Sequence, residues 1–222
     1  MIDSSREGDV IVLRMDAGEN RFHPDMIRAW NEALDEVEKA DGPRALVTTG
    51  TGKFYSNGLD LDYMMGGDCE SPDEYIAGVL GILRRLLVFP AFTVAAMNGH
   101  AFGAGAQLAL AHDVRVMRTD RGYFCMPEID MRAPLHPGMT AIIQARLPHQ
   151  TAHEVITTGK RYAAADALER RIVDHTAAES EVVPRAIALA TEMTGKAHPV
   201  MSTLKAGMYP RTLEAFEAKL GR

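Results

Sequence analysis

Three glycines stand in a turn whose backbone could hold a negative charge. The turn, with Gly99, Gly103 and Gly105, joins an apolar stretch, Phe92 to Met97, to a stretch rich in Ala and Leu that begins at about Ala104 and reaches His112. The first stretch is typical of a buried strand and the second of a helix. A helix leaves the N–H groups of its first turn without intrahelical partners, and its dipole favours negative charge there. The turn is therefore predicted to bind an anion, or an oxygen that becomes negative during a reaction.

Glycines of this kind also suit a strand and a helix that only pack closely, so chemistry needs a second feature. The segment 54–61 supplies it and reads FYSNGLDL. Asn57-Gly58 is typical of a turn with a left-handed residue, which exposes the neighbouring backbone N–H groups. The sequence thus has two separate turns whose backbone donors are available to a ligand.

Three motifs in this chain resemble, in order, those of the enoyl-CoA hydratase/isomerase (crotonase) superfamily. FYSNGLDL is similar to its F-x-A-G-x-D-L motif, AAMNGHAFGAGAQLALAHD to A-x-x-G-x-A-x-G-G-G-x-x-L-x-x-x-x-D, and MPEIDM to P-E-[IV]. The resemblance covers residues 10–174 and is strongest to the short 3,2-enoyl-CoA isomerases. It implies an α/β fold, a crotonase-like spiral of β-β-α turns with a helical C-terminal region, and an acyl-CoA thioester as ligand.

The resemblance also implies an oxyanion hole made of two backbone N–H groups. By motif position these belong to Leu59 and Ala104. Removing a proton beside a thioester makes an enolate, and two fixed donors stabilise the oxygen on which that charge develops. Ala104 replaces the glycine that is usual in the motif, but its N–H remains. Glu128, in the P-E motif, is the expected catalytic base; as a structural alternative it would only cap the next helix.

Gln107 separates two reactions of this superfamily. Its hydratases carry a second glutamate at this position, and the neutral amide of glutamine cannot act as a general base. A single carboxylate suits a proton shuttle in which Glu128 takes a proton from C2 of a 3-enoyl-CoA and returns it at C4. The sequence therefore favours an isomerase that forms 2-trans-enoyl-CoA in fatty acid degradation. The alternative is an enoyl-CoA hydratase (a lyase) or another acyl-CoA enzyme of the crotonase family.

The substrate is expected to contact residues that surround the two oxyanion donors. The residues predicted to bind it are Arg21, Phe22, Gly58, Asp60, Leu61, Gly103 and Gln107. Arg21 and Lys205 are candidates for the phosphates of coenzyme A. Met131, Leu135 and Met139 are candidates for the acyl pocket. No separate cofactor is expected, because coenzyme A is part of the substrate.

Two further functions remain open. Ser56 lies in a segment that half matches the G-x-S-x-G nucleophile elbow, with Phe54 in place of the first glycine, so an acyl-CoA hydrolase is one of them. A protein that binds acyl-CoA without turning it over is the other. A metal site is not expected, because His149 and His153 lack the H-E-x-x-H order.

The elements that position these residues alternate between strands and helices, which indicates an α/β architecture. Strands are predicted at 10–15, 45–49, 92–97, 114–118 and 123–126, with an edge strand at 172–174. Helices are predicted at 23–41, 71–87, 104–112, 138–147, 150–159, 163–170 and 181–196. Residues 50–71 are predicted to be irregular. Residues 1–196 should form the spiral core, and residues 197–222 a short C-terminal helical tail.

The composition limits the partners and the location. With 222 residues, 46% of them hydrophobic, the chain can bury one sizeable core, and its net charge of −6 argues against a nucleic-acid partner. Its longest apolar run, Val88 to Met97, is too short to span a membrane. The two cysteines form no C-x-x-C pair, and the final Leu220-Gly221-Arg222 is not the peroxisomal tripeptide, so a cytoplasmic protein is predicted. Members of the superfamily commonly form trimers, which predicts a homotrimer.

Overall fold

The computed structural model describes residues 1–218, and their strands form two sheets. The larger sheet contains, in spatial order, β1 (Ile2–Glu7), β2 (Val10–Met15), β3 (Ala45–Gly50), β5 (Phe92–Met97), β7 (Val114–Arg118) and β9 (His175–Ala177). The smaller contains β4 (Phe54–Ser56), β6 (His100–Phe102) and β8 (Phe124–Cys125). Neighbouring strands are parallel, except that β1 is antiparallel to β2.

Successive turns of the chain add one strand to each sheet and then a helix. After α1 (Pro24–Lys39), β3 and β4 are followed by α2 (Leu61–Met65) and α3 (Pro72–Leu87). In the next turn β5 and β6 are followed by α4 (Ala104–Leu110), and then β7 and β8 by α5 (Glu128–Met131). This repeated order confirms the predicted spiral of β-β-α turns.

The C-terminal region is mostly helical, as predicted. Its helices are α6 (Pro137–Arg146), α7 (His149–Thr158), α8 (Ala164–Glu169), α9 (Val182–Thr191), α10 (Pro199–Met208) and α11 (Pro210–Phe216), with 3-10 turns at Glu179–Glu181 and Thr194–Lys196. In the predicted tail, α11 packs against α6, while residues 219–222, including the terminal tripeptide, lie outside the described residues. The division of the chain at residue 196 stays a prediction. No helix within residues 1–218 has the length and apolar character needed to cross a membrane.

The sequence patterns missed the shortest strands and misplaced two elements. β4 and β6 have three residues each, too few for a visible period, and β1 is a polar edge strand with mostly exposed side chains. The edge strand predicted at 172–174 lies instead at His175–Ala177, because Ile172 and Val173 are buried in the core and the next residues pair with β7. The helix predicted at 181–196 ends at Thr191, and a separate 3-10 turn follows at Thr194–Lys196. The segment 50–71 is not irregular throughout, since it contains β4 and α2.

The central strands of the large sheet, β2, β3, β5 and β7, are buried on both faces. In β2, Val10 and Val12 belong to a cluster formed with α9, whereas Ile11, Leu13 and Met15 belong to the main core. This alternation is expected of a strand, whose successive side chains point to opposite faces. On the main-core side, α1 buries the face that its sequence period predicts. That face consists of Met26, Trp30, Ala33, Leu34 and Val37.

A chain of buried hydrogen bonds ties β3, β4 and α4 together. His112, just after α4, contacts the carbonyl of Leu108 through Nδ1 (2.8 Å) and Thr48 Oγ1 through Nε2 (2.9 Å), and Thr48 also bonds to the hydroxyl of Tyr55 (2.8 Å). Burial lowers the pKa of His112 to about 3, so the ring is neutral. Its Nδ1–H then donates to Leu108, Thr48 donates to Nε2, and Tyr55 donates to Thr48. Each of these polar groups is satisfied without a charge in the core.

Glycine allows α4 to lie directly on β4. A Cβ at Gly105, in the first turn of α4, would be 2.2 Å from the carbonyl oxygen of Ser56. At the other end of α4, Arg146 donates hydrogen bonds to the carbonyls of Leu110, His112 and Asp113. The helix is therefore fixed at both ends against its neighbours.

Gly105→Ala should destabilise the fold, because the new Cβ would overlap backbone that cannot move aside cheaply. Overpacking of this kind costs about 1–3 kcal/mol. Gly81→Ala is the matched control, since Gly81 is also helical and a Cβ there meets no atom within 4 Å; it should gain up to about 1 kcal/mol from helix propensity. Urea unfolding measures both changes, and equal stability of the two variants would contradict the close contact.

Candidate active site

A cavity of about 570 Å³ opens beside the start of α4. Its apolar wall includes Leu59, Met64, Phe102, Met131, Leu135 and Met139, so the three residues proposed for an acyl pocket all lie on it. Its polar residues are Arg21, Asn57, Asp62, Asp73, Glu128 and His136. A concave, mainly apolar wall with a few polar groups is the usual form of a small-molecule site.

The N–H of Leu59 is oriented by the glycine before it. Gly58 has φ +81°, and a Cβ there would be 2.6 Å from the carbonyl oxygen of Phe102 and 3.0 Å from the backbone nitrogen of Ala104. The carbonyl of Gly58 accepts the N–H of Phe22 at 2.8 Å. Since a trans peptide is planar, fixing this carbonyl also fixes the N–H of Leu59, which points the opposite way.

The N–H of Ala104 is the first of α4. Gly103, with φ +51° and ψ −123°, precedes it in a conformation that a side chain would strain. Within residues 1–218, neither this N–H nor that of Leu59 meets a hydrogen-bond acceptor. Both residues line the cavity, so the two loops bring two free donors to one wall.

Glu128 adds a carboxylate to the same wall. Its Oε1 would be 3.4 Å from a Cβ placed on Gly103, and its Oε2 is buried without a partner in the described part of the chain. Burial raises the pKa of this carboxyl. The N-cap of α5 is Pro127, and the backbone N–H of Glu128 itself partly offsets the rise in the pKa of its carboxyl. Its position suits a general base beside the two donors.

The predicted substrate-binding residues fall into two groups. Gly58, Gly103 and Leu61 are at or next to the cavity wall. Phe22 and Gln107 are not on that wall. The ring of Phe22 is buried in the main core, and the side chain of Gln107 is fully buried with neither amide atom bonded in the described residues.

The charged residues proposed for substrate binding already have partners. Arg21 lies at the cavity but pairs with Glu19 (2.7 Å) and Asp62 (2.6 Å). Asp60 caps α2 by accepting the N–H of Tyr63 at 3.2 Å. Lys205 lies elsewhere, where its Nζ is held by Asp113 (2.7 Å) and by a backbone carbonyl. Any contact of Arg21 with a phosphate would compete with these carboxylates.

Ser56 is placed to support the loop. Its buried hydroxyl donates to the carbonyl of Asn20 (2.8 Å) and accepts the N–H of Gly58 (3.2 Å). A serine nucleophile needs a base within hydrogen-bond reach, and in residues 1–218 no side chain bonds to this hydroxyl. The geometry gives no support to a hydrolase.

Several residues of the wall were not recognised in the sequence. Phe102 lies between Gly99 and Gly103, at a variable position of the second motif, and that position is the signal in the sequence that would predict it. His136 caps α6 by accepting the N–H of Gly138 at Nδ1 (3.0 Å), so its Nε2–H donates to the carbonyl of Ala218 (2.8 Å). The pair His136-Pro137 is the signal in the sequence here, because proline is favoured at the first position of a helix. Across residues 1–218, no three His, Cys, Asp or Glu side chains are grouped to hold a metal ion.

Comparison with known proteins gives the family. The sequence model described as enoyl-CoA hydratase/isomerase matches residues 5–220. The chain belongs to this family. Its members share the crotonase fold, and the protein is an enzyme of the enoyl-CoA isomerase/hydratase type.

Individual relatives cover nearly the whole chain. Enoyl-CoA delta isomerase 3 of Arabidopsis thaliana is 32% identical over 220 residues, which are 95% of this chain and 92% of the relative. A carnitinyl-CoA dehydratase of Salmonella paratyphi A is 31% identical over 205 residues, 90% of this chain and 77% of the relative. The crystal structure of a probable enoyl-CoA hydratase from Mycobacterium tuberculosis superposes with a TM-score of 0.90 at 27% identity, over 97% of this chain and 91% of that one.

Ala104→Pro should abolish most activity and leave the fold intact. Proline removes the N–H yet suits the first position of a helix, where that N–H has no intrahelical partner. Loss of one oxyanion donor costs roughly 10²–10³ in turnover. Ala104→Ser is the control, because it keeps the N–H and should retain most activity. A proline variant with an unchanged circular-dichroism melt and near-normal turnover would show that this helix start is packing geometry only.

Proposed function

We propose that this protein is an enoyl-CoA isomerase that converts a 3-enoyl-CoA to 2-trans-enoyl-CoA. The observation that carries the proposal is the number of suitable carboxylates. The Oε2 of Glu128 is buried without a partner in the described residues, on the same wall as two free N–H groups, while Gln107 occupies the second position. The other carboxylates of the wall are exposed, and Asp62 is paired with Arg21. The relative named as an enoyl-CoA delta isomerase supports this choice, and a role in fatty acid degradation follows from it.

In this proposal the reaction moves one proton. The N–H groups of Leu59 and Ala104 donate to the thioester carbonyl, and Glu128 removes a proton from C2. The electrons of the broken C–H bond form a dienolate whose negative oxygen the two donors stabilise. Glu128 then returns the proton to C4, which leaves the double bond between C2 and C3. The mainly apolar wall strengthens these interactions by keeping water away. No cofactor is needed besides the coenzyme A of the substrate.

We extend the proposal to a homotrimer in the cytoplasm. α10 exposes Val200, Leu204 and Met208, spaced four residues apart along one side of the helix and between 53% and 68% exposed. Such an apolar stripe is favourable to cover in an assembly. Cys69 and Cys125 are both free thiols, which suits a reducing compartment. Sedimentation should give three times the monomer mass of 24.3 kDa.

Glu128→Gln should remove the base while keeping size and hydrogen bonding. Turnover should fall by about 10²–10⁴. Because burial raises the pKa of Glu128, the ionised carboxylate is disfavoured in the folded state at neutral pH. The variant should therefore unfold at the same or a higher temperature than the wild type. Activity within about threefold of wild type would contradict the single-base mechanism.

The pH dependence of kcat/KM tests the role of Glu128 independently. The base works when ionised, so activity is lost as the pH falls through its pKa. Since that pKa is raised, the acid limb of kcat/KM should lie above the ordinary carboxyl value of 4.5. The limb should disappear from the residual activity of Glu128→Gln.

Separate incubations with 3-enoyl-CoA and 2-enoyl-CoA test the reaction itself. Chromatography should show that the first is isomerised quickly and that the second is hydrated poorly, because the amide of Gln107 cannot activate water. Hydration as fast as isomerisation would favour the hydratase. Tight binding of both thioesters without turnover would favour an acyl-CoA-binding protein.

A further inference from the structure

We infer that Asn20 is a positioning residue that sets the direction of the Leu59 N–H. The inference rests on the oxyanion role given to that donor in the proposed function. Asn20 does not line the cavity, and neither the motifs nor the comparisons assign it a role. Its contacts connect the turn after β2 to Phe54, Tyr55 and Ser56, which lead into the loop that carries Leu59.

The side chain of Asn20 is a buried hydrogen-bond hub, with a residue exposure of 1%. Its Nδ2 donates to the carbonyls of Phe54 (3.1 Å) and Tyr55 (3.2 Å), and its Oδ1 accepts the N–H of Ala17 (2.9 Å). Asn20 itself has φ +52°, a left-handed conformation that asparagine tolerates better than most residues. An amide offers both the donor and the acceptor that this position needs.

The backbone of Asn20 continues the support into the loop. Its carbonyl accepts the hydroxyl of Ser56 (2.8 Å), and the same hydroxyl oxygen accepts the N–H of Gly58 (3.2 Å). Two residues near Asn20 in the sequence, Glu19 and Phe22, each add a bond. The carbonyl of Glu19 accepts the N–H of Asn57 (2.9 Å), and the N–H of Phe22 donates to the carbonyl of Gly58 (2.8 Å).

These bonds determine where the Leu59 N–H points. Gly58 is the flexible residue of the loop, because glycine reaches many backbone conformations that other residues cannot. Both its N–H and its carbonyl are held by the contacts that Asn20 and its neighbours make. Catalytic groups misplaced by about 1 Å can cost 10²-fold in rate. Loss of the Asn20 side chain should therefore weaken oxyanion stabilisation without touching Glu128.

The primary test variant is Asn20→Gly, since glycine keeps the left-handed backbone and removes only the side-chain bonds. Asn98→Ala is the matched control. Asn98 also accepts a backbone N–H, that of Gly50 (2.8 Å), and donates to the carbonyl of Phe54 (3.4 Å), but it has no hydrogen bond to residues 56–58. Ser56→Ala is a second test variant, which removes the bridge from Asn20 to Gly58.

The direct readout is the fraction of bound acetoacetyl-CoA that is ionised to its enolate, measured by ultraviolet absorbance at fixed pH. This ligand places a negative oxygen in the oxyanion hole without requiring turnover, so the signal reports donor alignment and not overall stability. Asn20→Gly should lower the enolate fraction and reduce kcat for 3-enoyl-CoA by roughly 10–100-fold, with KM within about threefold. Ser56→Ala should shift both in the same direction by less. Asn98→Ala should leave both unchanged, whatever its effect on the melting temperature.

A wild-type enolate fraction in Asn20→Gly, or an equal loss in Asn98→Ala, would overturn the inference. If Asn20→Gly does not fold, Ser56→Ala decides, and an unchanged enolate fraction in that variant overturns it as well. The enolate measurement also separates this inference from the proposed reaction. A wild type that stabilises the enolate but does not isomerise 3-enoyl-CoA would contradict the isomerase and leave the role of Asn20 testable. A wild type that binds acetoacetyl-CoA without ionising it would contradict the oxyanion hole and, with it, the role of Asn20.

Discussion

The close contact between β4 with its loop and the first turn of α4 is the constraint on which the candidate site depends. Two glycines make it possible. A Cβ at Gly105 would overlap the backbone of Ser56, and a Cβ at Gly58 would overlap the carbonyl of Phe102 and lie 3.0 Å from the nitrogen of Ala104. The contact brings the N–H groups of Leu59 and Ala104 to one wall, although they come from different turns of the spiral. Neither loop would form the site alone. The distance between the two N–H groups is therefore set by how closely the loop after β4 packs against α4.

The same packing explains why the polar groups below the site are so fully connected. Tyr55, Thr48 and His112 form one directed hydrogen-bond chain beneath α4, and the histidine is neutral because it is buried. Unsatisfied polar groups are costly in such surroundings. Some buried polar atoms in the described residues have no partner, among them both amide atoms of Gln107 in the core. Those at Leu59, Ala104 and Glu128 are distinguished by lying together on the wall of the cavity.

In the proposed reaction, burial acts on Glu128 and on the two backbone donors in a complementary way. It raises the pKa of Glu128, which makes the carboxylate a better proton acceptor once ionised. It also strengthens the interaction between the backbone N–H groups and a developing negative oxygen, because little water competes with them. In that reaction one feature, the apolar wall, would favour both the transfer of the proton to Glu128 and the enolate that remains. An exposed site with the same residues would do neither as well.

The sequence by itself determined the family, the order of the larger elements and the residues whose chemistry is local. A glycine at a left-handed turn, a P-E motif at a helix start and the amphipathic period of α1 are recognisable because each depends on a few neighbouring residues. The strands β4 and β6 were not visible, since a three-residue strand is defined by its distant partners. Only the tertiary structure decided which predicted residues face the cavity. Leu59, Ala104 and Glu128 do, whereas Phe22, Gln107 and Lys205 are buried elsewhere. The identity of a residue is local, but the direction of its side chain is fixed by packing against segments far away in the chain.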